Sequence, residues 1–258
     1  MSTRLDAWLV QAGQFGGRDT AKRHIEAGEV TVNGRVVKKP AFAVEEGDRV
    51  VCAVDERYVG RGGYKLEKAI QSAGLDLNGV IAIDVGASTG GFTDCMLQHG
   101  AKKVYAVDVG HGQLHETLRE NPSVVNLENT DVRTVALPDT PSFCSVDVSF
   151  ISLKQVMPAV LSQLAAEATV VCLIKPQFEA GRAAIGKNGV VKDKNTHMAV
   201  LRDLCAAFAE WQCGLLDLTF SPIRGGEGNV EYLATLRRDA AGVAVDVKTL
   251  VNTAFQQL

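Results

Sequence analysis

No Cys-x-x-Cys pair occurs in this sequence, and its five histidines show no ligand spacing, so a metal site of the usual pattern is not expected. The six cysteines (Cys52, Cys95, Cys144, Cys172, Cys205 and Cys213) are scattered, several within apolar runs. That suits small core residues in a reducing compartment better than a disulfide framework. No apolar run is long enough to span a bilayer, and no leader-like segment is seen. The expectation is a cytoplasmic protein with no stable membrane association. An overall basic field is missing too: the formal charge is -3, so any nucleic-acid surface must be local. Repeats and low-complexity tracts are absent. What is present, 46% hydrophobic and 22% charged residues over a chain of 258, is the composition of a globular protein with one large domain, or a large and a small one.

Residues 1–59 differ in character from the rest. In LDAWLVQAG, Leu5, Trp8 and Leu9 fall at helical spacing, and in TAKRHIEAG, Ala21 and Ile25 lie one turn apart. VTVNGRVV reads as a hairpin closed by Asn33-Gly34. The first 39 residues carry seven basic against four acidic side chains, and Arg18 and Lys22 share a helix face. Such a face holds phosphates or is simply solvated; charge alone leaves both open. RLDAWLVQAG, the stretch from Arg18 to Arg23, and IEAGEVTVNGRVVKKP together resemble the alpha-L RNA-binding module of a small-subunit ribosomal protein and of pseudouridine synthases. The resemblance implies RNA contacts from Arg4, Arg18, Lys22, Arg23 and Arg35.

ERYVGRGG reads as a charged, glycine-rich junction, with a linker placed at 60–63. From residue 64 to 258 strand and helix patterns alternate: VIAIDVG, KKVYAVDVG, SVVNL, CSVDVSF, TVVCLIK, LLDLTFS and VEYLATLRR as strands, with helices between them. Pro158, inside LKQVMPAVLSQL, is expected within the first turn of its helix. The alternation predicts an α/β fold, a doubly wound and mostly parallel sheet behind a small N-terminal α+β domain.

IAIDVGASTGGFTD ends a buried strand and opens a helix, the place where such sheets bind ligands. Gly86, Gly90 and Gly91 let a ligand approach the backbone, with Ala87, Ser88 and Thr89 between them. Asp84 at the strand end suits a cation or hydroxyls. Asp108, followed by Val109, ends the next strand 24 residues later and suits ribose hydroxyls. Asp131 is either an acceptor for an adenine amino group or a capping residue. A dinucleotide would want glycine where Ser88 stands. The literal G-x-S-x-G of residues 86–90 follows the first strand after the junction, too early for a hydrolase elbow. S-adenosylmethionine, which has no phosphate and carries a positive amino group, fits this loop best.

One residue is costly where it stands. Lys175 follows the buried run Val170 to Ile174, and burying an ammonium needs a partner or a use. Asp147 ends the strand CSVDVSF. If those two strands are neighbours, both side chains reach the cleft of the glycine loop. The alternative for Lys175 is a lysine that snorkels to solvent. Glu231 and Lys65 read as surface charges on their own.

RYVGRGGYKLEKA, DVGASTGGFTDCMLQHGAKKVYAVDVGHGQL, DVSFISL, IKPQFEAGR and GNVEYL resemble the FtsJ-type ribose 2′-O-methyltransferases. Behind an alpha-L module they resemble the TlyA family, often labelled haemolysin. The resemblance implies a Rossmann-like methyltransferase domain, a catalytic tetrad at Lys65, Asp147, Lys175 and Glu231, and methylation of cytidine ribose in ribosomal RNA. It implies ribosomal RNA or ribosomal subunits as partner. Arg57, Arg61, Arg182 and Lys187 flank the proposed cleft and either hold RNA phosphates or are single solvated charges. A ribose hydroxyl must lose its proton as it attacks, and an unperturbed lysine, with a pKa of about 10.4, is already protonated at neutral pH. Burial and a second cation lower that value. Lys175 is therefore the candidate base or steering group, and Lys65 the second cation. Asp147 and Glu231 orient the two amines, the four titrating as a set. A non-catalytic RNA-binding assembly factor and a membrane-active haemolysin are the alternatives.

Overall fold

Asn33 and Gly34 both adopt left-handed backbone, with φ of +52° and +78°, the geometry of a tight hairpin turn. The turn joins β2 (Val30–Val32) to β3 (Arg35–Val36), and β5 (Val50–Cys52) pairs with the other edge of β2. The two helices read from sequence are α1 (Leu5–Gln11) and α2 (Arg18–Ala27); β1 (Thr3–Arg4) pairs with β4 (Ala43–Val44). Leu5, Leu9, Ile25, Val30 and Val44 close a small core. The computed structural model describes residues 2–12, 14–15, 17–52, 57–181, 184, 186, 189–225, 228–238 and 240–258. Contacts divide the chain into two units, Met1–Val59 and Gly60–Leu258.

The second unit opens with α3 (Gly62–Ala73), so two of the residues read as linker are helical. Then follow β6 (Ile81–Val85), α4 (Gly91–Gln98), β7 (Lys103–Val107), the short α5 (Glu116–Arg119) and β8 (Val124–Leu127). Next come β9 (Phe143–Val146), α6 (Leu153–Ser162), β10 (Thr169–Ile174), α7 (Pro176–Glu179) and α8 (Lys194–Glu210). β11 (Cys213–Phe220), β12 (Tyr232–Arg238) and α9 (Val247–Gln257) complete it.

The sheet runs β11-β12-β10-β9-β6-β7-β8. The strands from β10 to β8 are parallel; β12 is antiparallel to both its neighbours. Leaving β6, the chain goes first to β7 on one side and later to β9 on the other. The order reverses between β6 and β9, and their carboxyl ends flank the crevice where open sheets bind ligands. The near-continuous apolar runs of β6, β9 and β10 follow from burial on both faces.

Two expectations needed correction. Pro158 lies at the sixth position of α6, beyond its first turn. The carbonyl that loses its partner belongs to Lys154, an exposed residue, where a missing bond costs less than in the core. The strand patterns CSVDVSF and NVEYLATL were read too long: β9 stops at Val146 and β12 starts at Tyr232. Asp147 and Glu231 sit just outside their strands, each still tied to a neighbouring segment by one backbone bond: the Asp147 amide donates to the Val85 carbonyl at 2.8 Å, and the Ser221 amide to the Glu231 carbonyl at 2.9 Å.

Candidate active site

Gly86 follows β6 with a φ of +85°, and a Cβ there would overlap the Asp147 carbonyl oxygen. This glycine lets two strand ends touch, which is a different service from admitting a ligand. Gly90 likewise turns its empty side to Leu114 and Leu118. Asp108 closes the loop from the far side: it accepts the Ser88 amide at 2.8 Å and the Gly110 amide at 2.7 Å. A carboxylate with two amides bound keeps lone pairs for further donors.

Gly86, Ser88, Asp108, Val109, Asp131 and Asp147 line a cleft of about 380 Å³. Ala87, Thr89 and Gly91 instead line an adjoining pocket of about 160 Å³, with Lys65, Arg61 and Asp147. Asp147 belongs to both. Two larger depressions, of about 970 and 960 Å³, contain none of the four expected catalytic residues.

The four groups meet as two ion pairs. Lys175 Nζ lies 2.5 Å from Asp147 Oδ1 and donates to Ser149 Oγ at 2.9 Å. Lys65 Nζ donates to Glu231 Oε2 at 2.6 Å. Register places them together: Ile174 pairs with Tyr232, so Lys175 stands opposite Glu231. Lys65, from the first turn of α3, shares the smaller pocket with Asp147. Lys65 and Glu231 are both buried, while Lys175 and Asp147 each keep part of their surface, and Asp147 lines the cleft. The cost that Lys175 posed in the sequence is offset by Asp147, not by snorkelling to open water.

Asp84 does not reach the cleft. It is wholly buried below the loop and accepts hydrogen bonds from Thr93 Oγ1 at 2.7 Å and Ser145 Oγ at 2.8 Å. It pins β6 to α4 and β9, where direct cofactor contact was expected. Burial, outweighing those two bonds, pushes its carboxyl up to about 6. Below its usual value of 3.8 the acid is neutral folded or unfolded, and its contribution is lost as pH rises through 6. Relative to Asp84→Asn, the parent should therefore lose about 3 kcal/mol of unfolding free energy between pH 4 and pH 7. Denaturant titrations across that range check this; a constant difference would mean the carboxyl is not desolvated.

Asp131 lines the cleft but is engaged, accepting Arg133 Nη2 at 2.6 Å and the Arg133 amide at 2.9 Å. The Arg133 side chain pulls its carboxyl down to about 2. Sequence reading missed Ser149 and Phe150. Phe150 is 90% exposed at a φ of +65°, lines the cleft, and lies 5.0 Å from the Phe178 ring. An aromatic at that exposure and backbone strain needs a use. Its signal was hidden because DVSF reads as the end of a strand. Glu179 was missed as well: it accepts Ser152 Oγ at 2.6 Å and the Leu153 amide at 2.8 Å, tying the loop after β9 to α7.

In the first unit, Arg4 and Arg18 converge on buried Asp6, with Arg4 Nη2 at 2.9 Å and Arg18 Nη2 at 3.1 Å. These arginines serve α1 and α2 as well as presenting half-exposed guanidinium groups. Lys22 pairs with exposed Asp19 at 2.9 Å, Arg23 reaches Thr20 at 3.5 Å, and Arg35 is exposed on β3. Arg61 is exposed beside Lys65 in the smaller pocket. Arg182 and Lys187 lie outside the described residues. Among the described residues no cluster of His, Cys, Asp and Glu could hold a metal ion, and no helix is long and apolar enough to cross a membrane.

Residues 58–238 match the FtsJ-like methyltransferase family, and residues 3–50 match the S4 domain. Hemolysin A of Brachyspira hyodysenteriae is 40% identical over 237 residues, covering 90% of this chain and 98% of the relative. The 16S/23S rRNA (cytidine-2'-O)-methyltransferase TlyA of Mycobacterium tuberculosis is 38% identical over 261 residues, covering 98% and 97%. Among solved structures, one of a candidate hemolysin from Streptococcus thermophilus superposes with a TM-score of 0.80 at 42% identity, covering 99% of this chain and 96% of that one.

Proposed function

The chain belongs to the FtsJ-like methyltransferase family and carries an S4 domain in front; from that premise we propose that it methylates the ribose 2′-hydroxyl of a cytidine in ribosomal RNA, using S-adenosylmethionine. The observation that carries this reading is the meeting of two lysine–carboxylate pairs at the mouth of the glycine loop. In domain terms, residues 1–59 are the RNA-binding module and 60–258 the catalytic part, with Gly62 and Gly63 already in its first helix. Ribosomal RNA is the partner, free or within a subunit, and the place of work is the cytoplasm.

The cleft fits the cofactor by its donor set. Its charged lining is an Asp131–Arg133 pair, Asp147 paired with Lys175, and Asp108, which holds two backbone amides and leaves the lining one negative charge in excess. That balance suits a cationic ligand with hydroxyls and repels a pyrophosphate. Asp108 would take the ribose hydroxyls, and exposed Val109 and the region of Asp131 the adenine. When bound, S-adenosylmethionine supplies an electrophilic methyl carbon on positively charged sulfur. The chain does the rest. Lys175, held by Asp147 and Ser149, orients the 2′-hydroxyl; to take that proton as the oxygen attacks, its amine must first give up its own, so that a neutral nitrogen becomes the ammonium in the step. Glu231 holds Lys65 beside Asp147, so that the field around the leaving proton is set before substrate arrives. Alignment of oxygen and methyl supplies several kcal/mol of the barrier reduction. The ring of Phe150 offers a face on which the extruded base can stack.

Incubating ribosomal subunits and naked ribosomal RNA with labelled cofactor, then mapping ribose methyls, tests the reading. Incorporation at one ribose supports it. Cofactor binding with no label on either substrate would favour a non-catalytic assembly factor, and leakage of purified liposomes a membrane activity.

The module makes its own prediction. Arg18→Ala with Lys22→Ala removes two phosphate contacts, and the slope of log affinity against log salt should fall in magnitude by about 2. Because the partner of Lys22 among the described residues is exposed Asp19, exchanging it for a phosphate costs little. Filter binding over a salt series reads it; an unchanged slope assigns this face to solvent.

A further inference from the structure

Position 225 is glycine for no reason in its own backbone, since its φ lies outside the left-handed range that favours glycine. What it lacks is room. A Cβ there would stand 2.8 Å from Glu231 Cδ and overlap Glu231 Oε1. The other carboxylate oxygen is the one that accepts Lys65 at 2.6 Å. With Glu231 only 2% exposed and Lys65 9%, the carboxylate has no open water to swing into.

The loop is no freer to yield. Gly225 N donates to the Asn229 carbonyl at 2.9 Å, and Gly228 N donates to the Gly225 carbonyl at 2.9 Å. Arg224 Nη1 donates to the Gly228 carbonyl at 2.8 Å. The wholly buried Asn229 side chain in turn accepts the Val191 amide at 3.0 Å and donates to the Gly189 carbonyl at 3.0 Å. Any shift of the Gly225 α-carbon would therefore break bonds on two segments.

We propose that Gly225 is a positioning residue: its bare α-carbon sets the place of the Glu231 carboxylate, and through it the Lys65 ammonium. This rests on the reading in which that pair serves methyl transfer, and it adds a group that acts at one remove from the reacting atoms. Its effect should appear in the chemical step and not in cofactor binding, because Gly225 lines neither the cleft of Asp108 nor the pocket of the glycine loop.

A double-mutant cycle decides it. Gly225→Ala should lower kcat about tenfold and leave the KM for S-adenosylmethionine within about twofold. In a Glu231→Asp background, one methylene shorter and with space for the new methyl, the same change should cost less than about twofold. Equal losses in both backgrounds, or an unaltered kcat in the single variant, would overturn the proposal. The same cycle read by urea unfolding needs no turnover: alanine should lower the midpoint in the parent and spare it beside Glu231→Asp. If Gly225→Ala alone fails to fold, folding of the double variant supports the clash, and failure of both overturns it. Should the protein methylate no RNA at all, the unfolding cycle still reports on Gly225, so the two readings fail separately.

Discussion

Lys175→Ala should reduce methyl transfer by at least about 10³-fold and leave S-adenosylmethionine affinity within about twofold. The asymmetry follows from the geometry. Lys175 does not itself line the cleft assigned to the cofactor, although its partners Asp147 and Ser149 do; the groups that would hold the cofactor there are Asp108, Val109 and the region of Asp131. Removing the amine therefore takes away the group that meets the hydroxyl and its proton, and little that holds the donor. Lys175→Arg sharpens the result. A guanidinium keeps the charge beside Asp147 but does not give up or take a proton near neutral pH. If Lys175 accepts the proton, the arginine variant stays inactive; if it only steers the hydroxyl, part of the rate returns. Single-turnover transfer and equilibrium cofactor binding, measured on the same preparations, separate these outcomes. A wild-type rate in Lys175→Ala would remove the residue from catalysis.

The second large effect is on stability. Lys65→Met leaves the Glu231 carboxylate buried with its cation gone, and breaking a buried pair from one side costs about 3–5 kcal/mol. Lys65→Met with Glu231→Leu replaces the pair by apolar groups of similar size and should regain most of that loss. Neither variant should transfer methyl groups at a useful rate. The contrast would show a pair kept for chemistry and not for folding. Denaturant unfolding followed by a probe in residues 60–258 checks it, since two units need not unfold together. A single variant as stable as its parent would mean that Glu231 reaches solvent.

Much of the catalytic unit was readable before any coordinates. Its buried strands are short apolar runs bounded by glycine or acids, and its helices carry clear apolar spacing. The Asn33-Gly34 turn was readable for the same reason, because few residue pairs tolerate two left-handed conformations in succession. Pro158 shows where such reading stops: a proline disfavours a helix interior, but the residue four back, Lys154, is exposed, and exposure is not written in the local sequence. Asp84 shows the same limit in the site. Its place at a strand end pointed to the ligand, yet its side chain turns inward to Thr93 and Ser145.

The amino-acid sequence alone determined the order of strands and helices, the glycine loop and the presence of a lysine at the end of a buried strand that needs a partner, a use or a route to solvent. Those are properties of neighbours along the chain, governed by spacing and by the cost of burying charge. Only the tertiary structure decided which lysine meets which carboxylate, that Phe150 stands out at the cleft and that Gly225 must lack a side chain. The reason is that Lys65 and Glu231 are separated by 166 positions in sequence yet 2.6 Å apart in space. Contacts of that kind are set by strand register and crossover, which no local pattern encodes.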